Sequence, residues 1–216
     1  MRLLYLNPNS TEAMTRSVVA VAQAAVPEAE VIGWTNHEGP PAIQGPEDGA
    51  AAVHGLMAML PGARETRADA IVIACFDDTG LAQMRAAAHC PVLGIGQSAY
   101  VMAGLLGERF SVVTTLAVSV PVIEGNIARL GHAHACAAVR ASGLPVLTVE
   151  EGGEPARARL AEEILRAREE DGVGIAVLGC AGMAMLRSDL ALRTGMVLVD
   201  GVAASARLAR AVSGMV

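Results

Sequence analysis

Cys75 closes the apolar run Ile71-Val-Ile-Ala74 and is followed by Phe76-Asp-Asp-Thr-Gly80, while Cys180 closes Ile175-Ala-Val-Leu-Gly179 and is followed by Ala181-Gly-Met-Ala-Met185. The two cysteines are 105 positions apart. The same offset lays Leu3–Thr11 on Glu108–Leu116 and Pro91–Ala99 on Met196–Ala204, where Gly96 meets Gly201. Three anchors at one offset predict a duplicated α/β unit that presents one thiol from each copy. A thiol between the carboxyl end of a strand and the start of a helix lies near unpaired N–H groups and the positive end of the helix dipole, which favours thiolate. Two such units facing each other about a pseudo-twofold axis bring a sulfur to each side of one bound carbon. One sulfur takes a proton and the other gives one, which is two-base inversion of a carbon acid. That chemistry needs no metal, pyridoxal or nicotinamide, provided backbone N–H donors stabilise the enolate.

The candidate binding groups follow from the same repeat. Asn7 and Asn9 end the first strand and Thr114 and Thr115 end its copy, and the offset makes Asn9 equivalent to Thr114, so these two are expected to flank the substrate from opposite sides. A single cysteine at a strand end is more often a small buried hydrophobe. Two at equivalent positions, each at the turn where open α/β sheets bind ligands, favour the functional reading. Cys90, before Pro91, and Cys136, among alanines, have no partner in the repeat and read as structural. Asp77-Asp78 suits a metal less well than capping of the helix that begins near Gly80, because the second copy has Gly182-Met183 there. The five histidines lack ligand spacing, and Gly94-Ile-Gly96 lacks the third glycine of a dinucleotide fingerprint.

Composition sets the class. At 216 residues with 53% hydrophobic side chains but only 2% aromatic ones, the core must be built from Ala, Val, Leu and Met. The net charge of −6 and the absence of a basic cluster leave no electrostatic footprint for nucleic acid. The N-terminal apolar run ends at Asn7, too short for a signal-peptide core or a membrane span, so a cytoplasmic protein with free thiols is expected.

Strand-like runs alternate with helical patterns at spacings that predict parallel sheets covered on both faces. Strands are expected over 2–6, 30–34, 70–74, 91–95, 110–114, either 137–140 or 146–149, 173–178 and 196–199. Helices are expected over 11–25, 47–60, 80–88, 97–106, 120–130, 155–170 and 202–212. The stretch Thr35–Asp48, rich in Gly and Pro, is a loop leaving a strand end and hence a candidate lid.

At these residues the chain resembles the hydantoin racemase family of the aspartate/glutamate racemase superfamily, which includes allantoin racemases. The match runs nearly end to end and rests on Asn7-Pro-Asn9-Ser-Thr, Ile73-Ala-Cys75-Phe-Asp-Asp, Phe110–Leu116, Val177-Leu-Gly-Cys-Ala-Gly-Met183 and Val199–Ala204. The resemblance implies two pseudo-symmetric flavodoxin-like α/β domains, each a mainly parallel sheet flanked by helices. They would span 1–98 plus 205–216 and 99–204, with the active site between them and the C-terminal helix packed back on the first. It implies Cys75 and Cys180 as the acid/base pair, with Asn9, Ile43, Phe76, Asp77, Thr114, Thr115, Gly179 and Ala181 at the substrate and no cofactor or metal. A homo-oligomer acting on a small molecule is expected. Phe76 and Ala181 replace the Asn and Thr that usually follow the cysteines of amino-acid racemases. This favours a 5-monosubstituted hydantoin, or allantoin, inverted at C5. A malonate-type decarboxylase, a maleate isomerase, an amino-acid racemase and a non-catalytic binding module are the alternatives. Thr79, Gln97 and Gln44 depart from the family pattern, and all three are expected at the lid and pocket edge, away from the cysteines.

Overall fold

A computed structural model of the chain describes residues 1–107 and 109–215. Glu108, which the repeat lays on Leu3, and Val216, the end of the expected 205–216 segment, lie outside the described residues.

Among the described residues, eight strands form two four-stranded parallel sheets. The first is β1 (Arg2–Asn7), β2 (Glu30–Thr35), β3 (Ala70–Ile73) and β4 (Val92–Gly94), in the order β2-β1-β3-β4. The second is β5 (Phe110–Thr114), β6 (Cys136–Ala141), β7 (Ile175–Leu178) and β8 (Val197–Asp200), in the matching order β6-β5-β7-β8. Side chains alternate between the faces of a strand, and both faces of the central strands are covered. Leu3 and Tyr5 of β1 enter one core while Leu4 and Leu6 enter another. Ile175 and Val177 of β7 join that first core, and Ala176 and Leu178 enter a third. This double burial is why the strands read as unbroken apolar runs. Since Tyr5, Val72, Phe110 and Val177 share one cluster, the two sheets rest on a common core.

Among the described residues, ten α-helices connect or follow the strands: α1 (Glu12–Ala25), α2 (Pro46–Ala58), α3 (Leu60–Glu65), α4 (Leu81–Ala87), α5 (Ile95–Leu105), α6 (Val120–Arg129), α7 (Val146–Glu151), α8 (Glu154–Asp171), α9 (Arg187–Thr194) and α10 (Gly201–Ser213). The sixth strand takes the earlier of its two expected positions. Val146–Glu151 is helical, and it buries Val146 and Val149 in the outer core of the second sheet. Helices α3 and α7 were not expected, and the helix expected to open at Cys180 begins only at Arg187, after a 3-10 turn. In α3, Pro61 occupies the first turn, where a missing N–H costs nothing. The expected domain division after residue 98 falls inside α5.

The register corrects the predicted equivalence of Asn9 and Thr114. Leu6 pairs with Ile73 and Val113 with Leu178, so the residue that matches Thr114 is Asn7. The offset of 105 holds for β3 against β7, but β5 is displaced by two residues relative to β1.

Helix α10 packs against α1 and α5. The Tyr5 hydroxyl lies 2.9 Å from Ser205 Oγ, which ties α10 to the first sheet. Gly201 opens α10 beside the start of α5, where a Cβ would come within 2.3 Å of the Ile95 carbonyl oxygen. At the matched Gly96 a Cβ would come within 2.2 Å of the Phe76 carbonyl oxygen, so a close backbone approach requires glycine at both copies.

Candidate active site

The carboxyl ends of the four central strands converge on one cavity. Asn9 comes from beyond β1, Ala74 through Asp77 from beyond β3, Thr114 and Thr115 from the end of β5, and Gly179 through Ala181 from beyond β7. Ile43, from the Thr35–Asp48 loop, adds to the wall. All ten residues expected at the site therefore line a single space between the sheets. Its volume is about 20 Å³, against roughly 300–1,000 Å³ for an ordinary ligand pocket. The cavity is closed around little more than a water molecule.

The loop carrying Ile43 is seated, not free. Its Pro40 carbonyl accepts from Ser10 N–H, and Thr11 Oγ1 donates to the Pro41 carbonyl at 2.7 Å. Gln44 Oε1 accepts from Val146 N–H at 3.0 Å, so the loop is latched to α7 of the second unit. A second link between the units is Ser17 Oγ on α1, which donates to Glu150 Oε1 at 2.6 Å.

The two thiols sit in unlike turns. Beyond Cys75 the chain makes an irregular turn with Asp78 at φ 50° and Gly80 at φ 69° before α4 begins. Beyond Cys180 it enters a 3-10 helix, Ala181–Leu186, that leads into α9. Neither sulfur thus opens an α-helix directly, and the expected thiolate is corrected. Burial raises the Cys75 thiol, as does the neighbouring Asp77 carboxylate, against hydrogen bonds from the Thr79 hydroxyl and Asp77 N–H. Burial pushes the Cys180 thiol up to about 12, opposed by the N–H of Gly182 and assisted by the charges of Glu150 and Asp77. Desolvation outweighs the dipole and N–H contributions at both positions, so both rest as thiols.

The adjacent aspartates separate. Asp78 is buried and accepts from Gly96 N–H at 3.0 Å and Gln97 N–H at 2.8 Å. It caps α5, not the helix after Gly80 that was expected. Asp77 instead faces the cavity, and its buried Oδ2 has no hydrogen-bond partner among the described residues. Burial pushes Asp77 up to about 7. Asn9 Oδ1 is occupied by Asn7 Nδ2 and Thr11 N–H, while its Nδ2 meets only Met14 Sδ, at 3.5 Å. Thr114 Oγ1 donates to the Gly179 carbonyl at 2.9 Å, which holds β5 and the Cys180 turn together.

Residues 3–209 match the Asp/Glu/Hydantoin racemase family. The chain belongs to this family. It is an isomerase of the racemase class. It is 41% identical to the hydantoin racemase of Rhizobium meliloti over 215 residues, which covers 99% of this chain and 89% of that protein. Among solved structures, the allantoin racemase from Klebsiella pneumoniae superposes with a TM-score of 0.95 at 36% identity, covering 100% of this chain and 88% of that one. The allantoin racemase from Pseudomonas fluorescens gives 0.94 at 33% identity, covering 100% and 92%.

The racemase cavity has four lining residues that the sequence did not single out: Met14, Ala74, Ser119 and Val146. Val146 was read as an alternative strand, and only its place at the start of α7 turns it toward the site. Ser119, just before Pro121 and the α6 pattern, carried the signal of a helix start. Thr79 overturns an expectation outright: its hydroxyl donates to Cys75 Sγ at 3.4 Å, so this departure touches a cysteine. No group of three or more His, Cys, Asp and Glu suited to a metal forms among the described residues, and none of their helices is long and apolar enough to cross a membrane.

Proposed function

We propose that the protein inverts C5 of a 5-monosubstituted hydantoin, or of allantoin, by a cofactor-independent two-cysteine mechanism. The observation that carries this reading is that Cys75 and Cys180, at matching strand ends of two equivalent sheets, line the same closed cavity. C5 of such a ring lies between a carbonyl and a ring nitrogen, so its proton is acidic enough for removal without an external electron sink. One sulfur, as thiolate, takes that proton. The electron pair moves onto the C4 oxygen, and the opposite thiol returns a proton to the other face. In this reading the Asn9 amide N–H and the Thr115 hydroxyl, which both line the cavity, donate to the enolate oxygen and stabilise its charge. Phe76 and Ala181 supply apolar wall beside each sulfur, which suits a neutral ring better than a free amino acid. A ring needs more room than the closed cavity has, so the Ile43 loop and its Gln44 latch must part for entry.

Racemisation of L- and D-5-substituted hydantoins and of allantoin, followed by circular dichroism, tests the reading. Exchange of the C5 proton in heavy water gives a second readout. Cys75→Ala and Cys180→Ala are each expected to abolish inversion. Wild-type racemisation by either variant removes the two-thiol mechanism, and carbon dioxide release from a substituted malonate points to decarboxylation instead.

A further inference from the structure

Cys180 is buried and Cys75 half-buried, and burial raises both thiols, which poses a problem that the site itself must solve. Neither is a base at neutral pH, yet proton removal from carbon needs a thiolate, and a third group must hold the proton that a thiol gives up. The cavity contains one carboxylate in a position to do so. Asp77 follows Cys75 by two residues and sends its own N–H to that sulfur. Its charge bears on Cys180 as well as on Cys75. Its Oδ2 is buried without a partner among the described residues, in a structure where the adjacent Asp78 is bonded to two N–H groups. A carboxylate oxygen left unpaired at such cost, beside two thiols, is the kind of exception to hydrogen-bond satisfaction that marks a working group.

We infer that Asp77 is the proton store of the thiol pair: the cavity carries one negative charge, which rests on Asp77 and moves to a cysteine when the substrate is bound. This rests on the two-cysteine reading. In the first step a thiol proton passes from sulfur to Asp77 Oδ2, turning Cys–SH and carboxylate into thiolate and carboxylic acid. The thiolate then removes the C5 proton and becomes thiol again, and the opposite thiol protonates the enolate and becomes thiolate. Finally Asp77 returns its proton to that second thiolate. Protons and charge balance over the cycle, and the enzyme ends in the state from which it began, whichever enantiomer entered. Without the last step each turnover would leave the enzyme poised for the reverse direction only.

The neighbours of Asp77 allow this assignment. On its own turn stand Cys75 and Asp78, which burial also pushes to about 7. Tyr100 on α5 is raised well above its ordinary value by burial and stays neutral. From α6, Asn126 Nδ2 donates to the Asp77 carbonyl, and the Arg129 guanidinium is engaged with Asn126 Oδ1. From the second unit come Cys180 and, behind it, Glu150, held by Ser17. No cation among the described residues is paired with the Asp77 carboxyl, which is why its charge is mobile.

The test is Asp77→Asn in the full chain. The store works only as carboxylate, so wild-type kcat/KM must fall as pH drops through about 7. In Asp77→Asn that acid limb is expected to vanish, with kcat at pH 7.5 down about 100-fold, KM changed less than about threefold, and activity climbing toward alkaline pH. Asp78→Asn, which titrates in the same range, must keep the limb. Iodoacetamide labelling of Cys75 and Cys180, read by mass spectrometry, needs no turnover. It should rise through pH 7 in the wild type and only at alkaline pH in Asp77→Asn, while the melting temperature shows the variant folded. An unchanged pH profile, an unchanged labelling profile, or a rise in KM with kcat retained overturns the assignment. If Cys75→Ala or Cys180→Ala still racemises, the two-thiol reading fails first; if both are dead and Asp77→Asn keeps its acid limb, only the store fails.

Discussion

The Cys75 turn and the Cys180 turn occupy the same place in two copies of one fold and have little else in common. The first is irregular and polar: Asp78 and Gly80 adopt positive φ, Thr79 reaches back to the sulfur, and Asp77 faces the cavity. The second is a 3-10 helix of small and apolar residues, and the charge that bears most on Cys180 comes from Glu150 on α7. Strand position is set by double-sided burial, which both copies keep. The turn is bound only by what must surround the sulfur, so it diverged. The lesson is that a duplicated scaffold brings two thiols to one cavity, while the polar groups beside them are concentrated in one half.

The largest test of that asymmetry removes the thiols one at a time. Each alanine variant is expected to lower racemisation by a factor of about 10²–10⁴ or more. In the two-thiol mechanism proposed above, a single remaining sulfur faces one side of C5. Each variant should therefore exchange solvent deuterium into one enantiomer without inverting it, and Cys75→Ala and Cys180→Ala should choose opposite enantiomers. If both choose the same one, the two sulfurs do not face opposite sides.

The first half bears its own cost at Asp77. Asp77 has an ordinary carboxylate pKa near 4 when unfolded and is pushed to about 7 when folded. The folded state therefore binds the extra proton between these values, and stability falls as pH rises from about 4 to 7. Above pH 7 the penalty is complete, on the order of 4 kcal/mol for a shift of about three units. Asp77→Asn should thus be more stable than wild type at pH 8 in urea unfolding, with the gain vanishing near pH 4. A loss of stability at pH 8 would show that the carboxylate has a partner after all.

In the second half, polar cost is met by pairing. Arg140 on the edge strand β6 reaches Glu163 at 2.9 Å and Asp171 at 2.6 Å and also meets Glu170, all on α8. By register its counterpart in β2 is Trp34, since Val113 pairs with Arg140 and Leu6 with Trp34. The same edge is closed by charge in one copy and by an aromatic ring in the other. Arg140→Met removes one partner from Glu163, which keeps Arg159, and one from Asp171, which keeps the Ser111 hydroxyl, and is expected to cost about 2 kcal/mol in urea unfolding. Trp34→Met leaves no charge short of a partner and should cost only the lost packing of the ring.

Much of this was legible in the residues. Central strands covered on both faces leave unbroken apolar runs, so the strand ends and the two cysteines could be placed. What a helix chooses against its own propensity could not: Val146-Leu-Thr-Val149 reads as strand, and only the core beneath the second sheet makes it α7. Register was equally hidden, because a two-residue displacement of β5 alters no residue type, so Asn9 was matched to Thr114 when Asn7 is the counterpart. Dipole arguments favoured thiolate at both sulfurs, and burial, invisible in one dimension, reversed that. The division of labour between Asp77 and Asp78 depends on one positive φ at Asp78, a conformation that Asp tolerates but does not announce.

The same positive φ brings Thr79 back onto Cys75, and this contact is the smallest handle on the asymmetry. The Thr79 hydroxyl is 3.4 Å from the sulfur, and Cys180 has no side-chain donor among the described residues. A hydrogen bond to a charged acceptor contributes about 1.5 kcal/mol at its weaker end, or roughly tenfold in rate when the acceptor is charged only on the way to the transition state. Thr79→Val should therefore lower kcat/KM about tenfold. The loss must be equal for both enantiomers, because a racemisation has an equilibrium constant of one and a residue cannot favour one direction. What Thr79→Val does distinguish is the sulfurs: iodoacetamide labelling should slow at Cys75 and remain unchanged at Cys180. Equal slowing at both would mean that the hydroxyl shapes the cavity as a whole, and the two turns would then differ in form without differing in their hold on the proton.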